Sequence, residues 1–217
     1  MLTVDARNFS LKDVHQFLKL EQNQNQSFTE LLSLELLTNH EQEDLDKVRS
    51  NFNSYYAEQK ISEGQVKFLF VSPLFWLAGF YQPSIKITLE ENIADIFVED
   101  EDTVIKGRMD ILAVNNTEQK TSSSFWILVI EAKNSSINAL EGLPQLLTYA
   151  FKSLENQASV WGLTTNGVDY RFVDLEQNNS PTYQLLPQLN LLDSDSSIQL
   201  LQVLKAICKI QHTSVAA

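Results

Sequence analysis

Residues 125–133 read FWILVIEAK: six bulky apolar residues run without a break into a glutamate, an alanine and a lysine. A stretch that is apolar at every position over strand length suits a central strand buried on both faces, since a half-exposed strand would alternate. Side chains alternate along a strand, so Glu131 and Lys133 share one face while Ala132 takes the other. A charged pair at the end of such a strand predicts that the sheet opens there into a cleft.

The rest of the chain frames that strand. Residues 9–60 read as helical, with apolar positions at three-and-four spacing (Leu31, Leu32, Leu34, Leu36, Leu37, then Leu45, Val48, Phe52, Tyr55) and a polar break at 21–26, EQNQNQ. A strongly apolar helix follows over 61–80, with Pro73 predicting a kink near Ser72. Periodicity then changes. Strands are predicted at 84–91, at 93–100 (either a further strand or an extension of the first), at 103–114 (with Gly107 as a bulge) and at 125–132, the last two joined by a turn-rich loop at 115–124. A helix over 137–155 starts irregularly because of Gly142 and Pro144. Two further strands, 158–165 and 168–175, flank Asn166-Gly167, a pair suited to a type I′ turn, and 196–210 closes the chain as an amphipathic helix. The expected fold is α/β with a mixed sheet flanked by helices, divided as a helical segment 1–60, a core 61–180 and a C-terminal strand and helix 181–217.

Composition excludes several classes. A single cysteine, Cys208, rules out an internal disulfide and a cysteine-based zinc site, and His15, His40 and His212 are too scattered for a histidine site. No stretch approaches the ~20 apolar residues of a membrane span, and the N-terminus lacks the pattern of a secretory signal, so a cytoplasmic protein without membrane contact is expected. The net charge of −12 is unevenly spread: 8 Lys/Arg face 18 Asp/Glu over residues 1–102, against 6 of each over 103–172. The middle segment is the part least hostile to a polyanion.

Pairing 103–114 with 125–132 as an antiparallel hairpin about the intervening loop sets Asp110 opposite residue 129, or opposite Glu131 after a shift of two. Such a shift preserves the face, whereas a slip of one reverses it. Two carboxylates would then meet beside Lys133. Carboxylates that close repel each other unless a proton or cation lies between them. Mg²⁺, with Mn²⁺ as substitute, is the hard cation that takes oxygen ligands and reaches phosphate oxygens. An adjacent lysine can hold a water and counter charge developing on a phosphoryl group. These are the parts needed for metal-assisted phosphodiester hydrolysis. Lys106, Arg108, Lys152 and Arg171 are candidate phosphate contacts, Arg108 foremost because it shares the Asp110 face.

GRMDILAV followed by FWILVIEAK resembles the D-(x)n-(D/E)-x-K motif of the PD-(D/E)xK nuclease superfamily. QLLTY, with Gln145 and Tyr149 four residues apart on one helical face, is similar to the Q-x-x-x-Y element of several of its branches. EGQVKFLFVSPLFWLAGF is similar to the opening helix of the N-terminal nuclease domain in type I restriction R subunits. The resemblance covers about residues 61–175. It implies a restriction-endonuclease-like fold and a Mg²⁺-dependent DNA endonuclease that leaves a 5′-phosphate. Asp110, Glu131, the Ala132 carbonyl and Glu63 would hold metal, Lys133 would activate water, and Gln145 and Tyr149 would complete the site. The motif's proline is replaced by Met109, and no G-x-x-x-x-G-K-[ST] loop supplies an ATPase. Separate motor or specificity subunits are therefore expected partners beside DNA. The competing expectation is a catalytically silent module that keeps the fold and binds a protein partner, which suits the charge of −12; RNA as the substrate is equally open.

Overall fold

The computed structural model describes residues 2–24, 26–93, 95–98, 103–116 and 126–213. In chain order these form β1 (Leu2–Asp5), a 3-10 turn at Ala6–Asn8, α1 (Leu11–Leu18), β2 (Glu21–Gln22), α2 (Phe28–Leu31), α3 (Asn39–Glu58), α4 (Glu63–Gln65), a π-helical turn at Val66–Val71 and α5 (Ser72–Ala78). There follow β3 (Ile85–Asn92), β4 (Ile96–Val98), β5 (Thr103–Lys106), β6 (Arg108–Asn115), β7 (Trp126–Ala132), a 3-10 turn at Ala139–Gly142 and α6 (Leu143–Ser153). The chain ends with β8 (Ser159–Thr165), β9 (Asp169–Gln177), β10 (Pro181–Leu185), β11 (Leu189–Asn190) and α7 (Ser194–Thr213). Most of the loop expected at 115–124, the first residue of FWILVIEAK and the acidic block at 99–102 lie outside the described residues.

β7 lies inside the large sheet, whose order is β2-β10-β9-β8-β7-β6-β3 with β11 added beside β9. Its partners are β6, antiparallel, and β8, parallel. A parallel pair needs a crossover, and α6 supplies it. One core packs Leu143, Leu146 and Leu147 of α6 with Val14 and Leu18 of α1 against Leu112, Val129 and Val173. The opposite core joins α3, the π turn, α5 and α7 to Ile111, Ile130 and Phe172. Alternate residues of one strand thus enter different cores, which is why β7 has no polar position until its end. Burying a side chain such as Phe70 or Leu128, both fully inaccessible, contributes about 1.5–3 kcal/mol each. The molecule is a mixed α/β protein with a mixed sheet flanked by helices.

Three expectations are corrected. The stretch 103–114 is two strands, not one with a bulge at Gly107: β5 belongs to a small second sheet, β1-β5-β4, and β6 to the large one. Gly107 is where the chain passes between them. A Cβ there would lie 2.4 Å from Cε1 of Tyr149, so the crossing passes hard against the Tyr149 ring. Of the two readings of 93–100, the separate strand is the one observed: β4, in the small sheet beside β5. Residues 9–60 are not uniformly helical. Leu32 to Leu37 run outside any helix until Thr38, whose side chain caps α3 in a reciprocal pair with Glu41, and Glu21–Gln22 form β2 beside β10. The Asn166-Gly167 turn is not type I′, which needs two positive φ values: among these residues only Gly167 has one, +89°, while the Asn166 Oδ1 accepts from the Val168 and Asp169 N–H groups. The predicted kink near Ser72 takes the form of the π turn immediately before it; Pro73 lacks the N–H that regular helix would use there.

Candidate active site

Register places five polar residues in one row across the large sheet. The β3–β6 ladder pairs Leu89 with Ile111 and Glu91 with Met109, leaving Glu90 and Asp110 level between them. The β6–β7 ladder pairs Ile111 with Ile130, so Asp110 is level with Glu131, as the two-residue shift expected. Glu131 pairs with Thr164, and Thr164 with Arg171. The first part of this row, with Lys133 and Gln145, lines a cavity of about 850 Å³ at the end of the sheet.

Each carboxylate is held differently. Asp110 Oδ2 accepts the Ala132 N–H at 2.8 Å, and its Oδ1 accepts from Lys67 Nζ at 3.1 Å. Burial raises the Asp110 pKa, against the pull of the Ala132 N–H and Lys67. Glu131 is more deeply placed, with a side chain 3% exposed. Its Oε1 accepts from Lys133 Nζ at 2.7 Å, while Oε2 is buried without a partner. Burial, and then the Asp110 charge, push Glu131 up to about 8 although Lys133 opposes them. A carboxyl kept from water with one oxygen unsatisfied costs stability unless something binds it.

A hydrogen-bonded chain runs from Lys133 into α6. Lys133 Nζ donates to Gln145 Oε1 at 3.3 Å, Gln145 Nε2 donates to the Tyr149 hydroxyl at 2.9 Å, and that hydroxyl also accepts the Arg108 N–H at 3.3 Å. Burial, with the Glu131 charge adding to it, pushes the Tyr149 phenol up to about 12. Gln145 and Tyr149 therefore tie the start of β6 to the lysine at the end of β7.

Of the residues singled out in the sequence, the structure brings together Asp110, Glu131, Lys133, Gln145, Tyr149 and Glu63, which lines the cavity and accepts from Lys67 at 3.1 Å. Ala132 joins them through its N–H. Arg108 and Lys106 stand on the cavity wall, paired with Glu90 at 2.8 Å and Asp95 at 3.6 Å. Lys152 does not reach the cavity and pairs with Glu155. Arg171 ends the row away from it, with a buried, unpartnered Nε.

Four contributors lie outside that expectation. Lys67, in the π turn, donates to Glu63, Glu90 (2.8 Å) and Asp110 together. Glu90 has a left-handed backbone, φ +55°, an unusual conformation for a residue other than glycine. Asp5, at the end of β1, and Arg7, in the 3-10 turn that follows, also line the cavity wall. The signal for Lys67 was present: it is the one Lys or Arg between residues 61 and 80, four positions after Glu63. Among the described residues, no three His, Cys, Asp or Glu side chains form a group that could hold a metal ion, and no helix is long and apolar enough to cross a membrane. No protein-family model matches the chain, and comparison with curated proteins finds no match.

Proposed function

We propose that the protein is a metal-dependent nuclease with a restriction-endonuclease-like core, hydrolysing DNA phosphodiesters with Asp110, Glu131 and Lys133 at its centre. The observation that carries this reading is the level pairing of Asp110 and Glu131 on adjacent strands, with Lys133 bonded to Glu131 at the wall of the cavity. Mg²⁺ or Mn²⁺ would be held by the orphaned Glu131 Oε2, a buried oxygen in need of a positive partner. Asp110, Glu63 and the Ala132 carbonyl are the other oxygens of the proposed set, drawn in from positions where the side chains do not yet form a three-carboxylate group. When bound, such an ion supplies Lewis acidity toward phosphate oxygens and acidifies water.

The chain's own residues supply the remainder. The Lys133 ammonium has three hydrogens, two of them directed to Glu131 and Gln145. The third is available to orient the attacking water and to counter charge developing on the phosphate. Gln145 and Tyr149 act as positioning residues through this lysine. Arg108 is largely exposed, so its bond to Glu90 is weak and readily exchanged for a phosphate. DNA affinity beyond these contacts would come from separate motor or specificity subunits. A silent assembly module with the same fold is the rival that the charge of −12 favours.

Plasmid cleavage with Mg²⁺ and with Mn²⁺ separates the two. Metal-dependent nicking by the natural chain, reduced about 100-fold or more in Lys133→Ala and Asp110→Ala, is the expected result. A folded protein that neither cleaves nor gains thermal stability from Mn²⁺ would leave the assembly module as the reading.

A further inference from the structure

Lys67 stands where a cation belongs. Its ammonium lies 2.8–3.1 Å from one oxygen each of Glu63, Glu90 and Asp110, and its side chain is only 19% exposed. It reaches them from the π turn, which follows directly on the helical turn carrying Glu63. Glu90 meets it from the edge strand β3 with the left-handed backbone already noted, a conformation that persists only where surrounding contacts fix it. Three acidic side chains from two strands and a helix thus converge on one ammonium, while Glu131 Oε2, one strand further along the row, is left unsatisfied.

We infer that Lys67 is a displaceable internal counter-ion: it holds the carboxylates together in the metal-free protein and must leave Asp110 before a divalent ion can bind there. The inference rests on the metal-dependent reading above and deepens it. Asp110 Oδ2 is taken by the Ala132 N–H, so an ion reaching this carboxylate needs Oδ1, the oxygen that Lys67 holds, whereas Glu131 keeps Oε2 free beside its lysine. An ammonium and a divalent ion on one oxygen repel strongly, so at Asp110 the two are alternatives. Glu90 provides the retreat. It lies level with Asp110 on the neighbouring edge strand, and its other oxygen is already bonded to the exposed Arg108. Lys67 can therefore keep Glu90 as a partner while surrendering Asp110 and Glu63. Binding of the ion then leaves an ammonium on the Glu90 side of the cleft, where a substrate phosphate can meet it. The site would accept an ion only when the lysine moves.

Calorimetric titration of the full chain with Mn²⁺, in the natural protein, Lys67→Met and Lys67→Arg, tests this. Lys67→Met should bind Mn²⁺ at least about tenfold more tightly, and Lys67→Arg no better than the natural chain. Equal affinities in all three would overturn the counter-ion role and leave the metal site standing. Absence of Mn²⁺ binding by both the natural chain and Lys67→Met would overturn the metal reading and this inference together. Should Lys67→Met fail to fold, the natural protein carries the test by labelling with an amine-reactive ester. Saturating Mn²⁺ should raise acylation of Lys67 several-fold with Lys152 unchanged. Bound Mn²⁺ without any change at Lys67 would overturn the displacement.

Discussion

Glu131 and Asp174 are two buried acids on one sheet, 2% and 6% exposed, yet their surroundings differ. Asp174 lies in the middle of β9, on the face opposite to Glu131, and its Oδ2 accepts from Gln184 Nε2, its own cross-strand partner on β10. Burial pushes it up to about 6, with the Gln184 bond opposing. Glu131 stands at a strand end beside a cavity, with a second carboxylate level with it, a lysine on one oxygen and nothing on the other. Depth alone raises a carboxyl's pKa and implies no chemistry. A cleft, a like charge nearby and an unsatisfied oxygen together mark the place where an added cation gains most.

The sharpest way to break the contrast is to neutralise each acid. Glu131→Gln should abolish stabilisation by Mn²⁺ in a thermal melt and reduce cleavage about 100-fold or more, whereas Asp174→Asn should leave both near the natural level. Equal losses would mean that the two acids matter only as parts of the sheet.

The next effect is on pH dependence. Asp174 has a raised pKa in the folded protein, so the folded state holds its proton more tightly than the unfolded one. Its contribution is present below the ordinary aspartate value and is lost as pH rises through about 6. Relative to Asp174→Asn, the natural chain should lose about 2–3 kcal/mol between these limits, measured by urea unfolding at each pH.

Smaller effects test how the site is anchored. Gly107→Ala drives a methyl into the Tyr149 ring and should cost about 1–3 kcal/mol in the same unfolding measurement. Tyr149→Phe removes the acceptor shared by the Gln145 side chain and the Arg108 N–H. It should cost about 1 kcal/mol and lower cleavage only a few-fold, since Glu131 still holds Lys133.

Much of this was legible in the chain, for identifiable reasons. The uninterrupted apolar run announced a central strand, and period-two geometry limited the Asp110–Glu131 pairing to a two-residue choice that the structure resolves. The Q-x-x-x-Y spacing set Gln145 and Tyr149 on one helical face, where they bond to each other. Lys67 and Glu90 escaped because their meeting depends on how a helix lies across the sheet edge, which no local periodicity encodes. Gly107 was misread for a related reason: a bulge and a passage between sheets both call for glycine within an apolar, strand-forming sequence. The small sheet escaped altogether, since β1 and β5 are far apart in the chain.

That separation has a kinetic side. β1 lies parallel to β5 in the register Leu2 with Thr103, so forming their ladder closes a loop of about a hundred residues. Contacts that span so much chain are costly in entropy and slow to form, whereas the β8–β9 hairpin and the β6–β7 pair close over far shorter spans. Asp5 and Arg7 belong to the wall of the cavity, and they arrive with that strand. By loop-closure entropy alone the floor of the cleft should form before this part of its wall, which Ala6 and Phe9 then anchor in the core shared with α6.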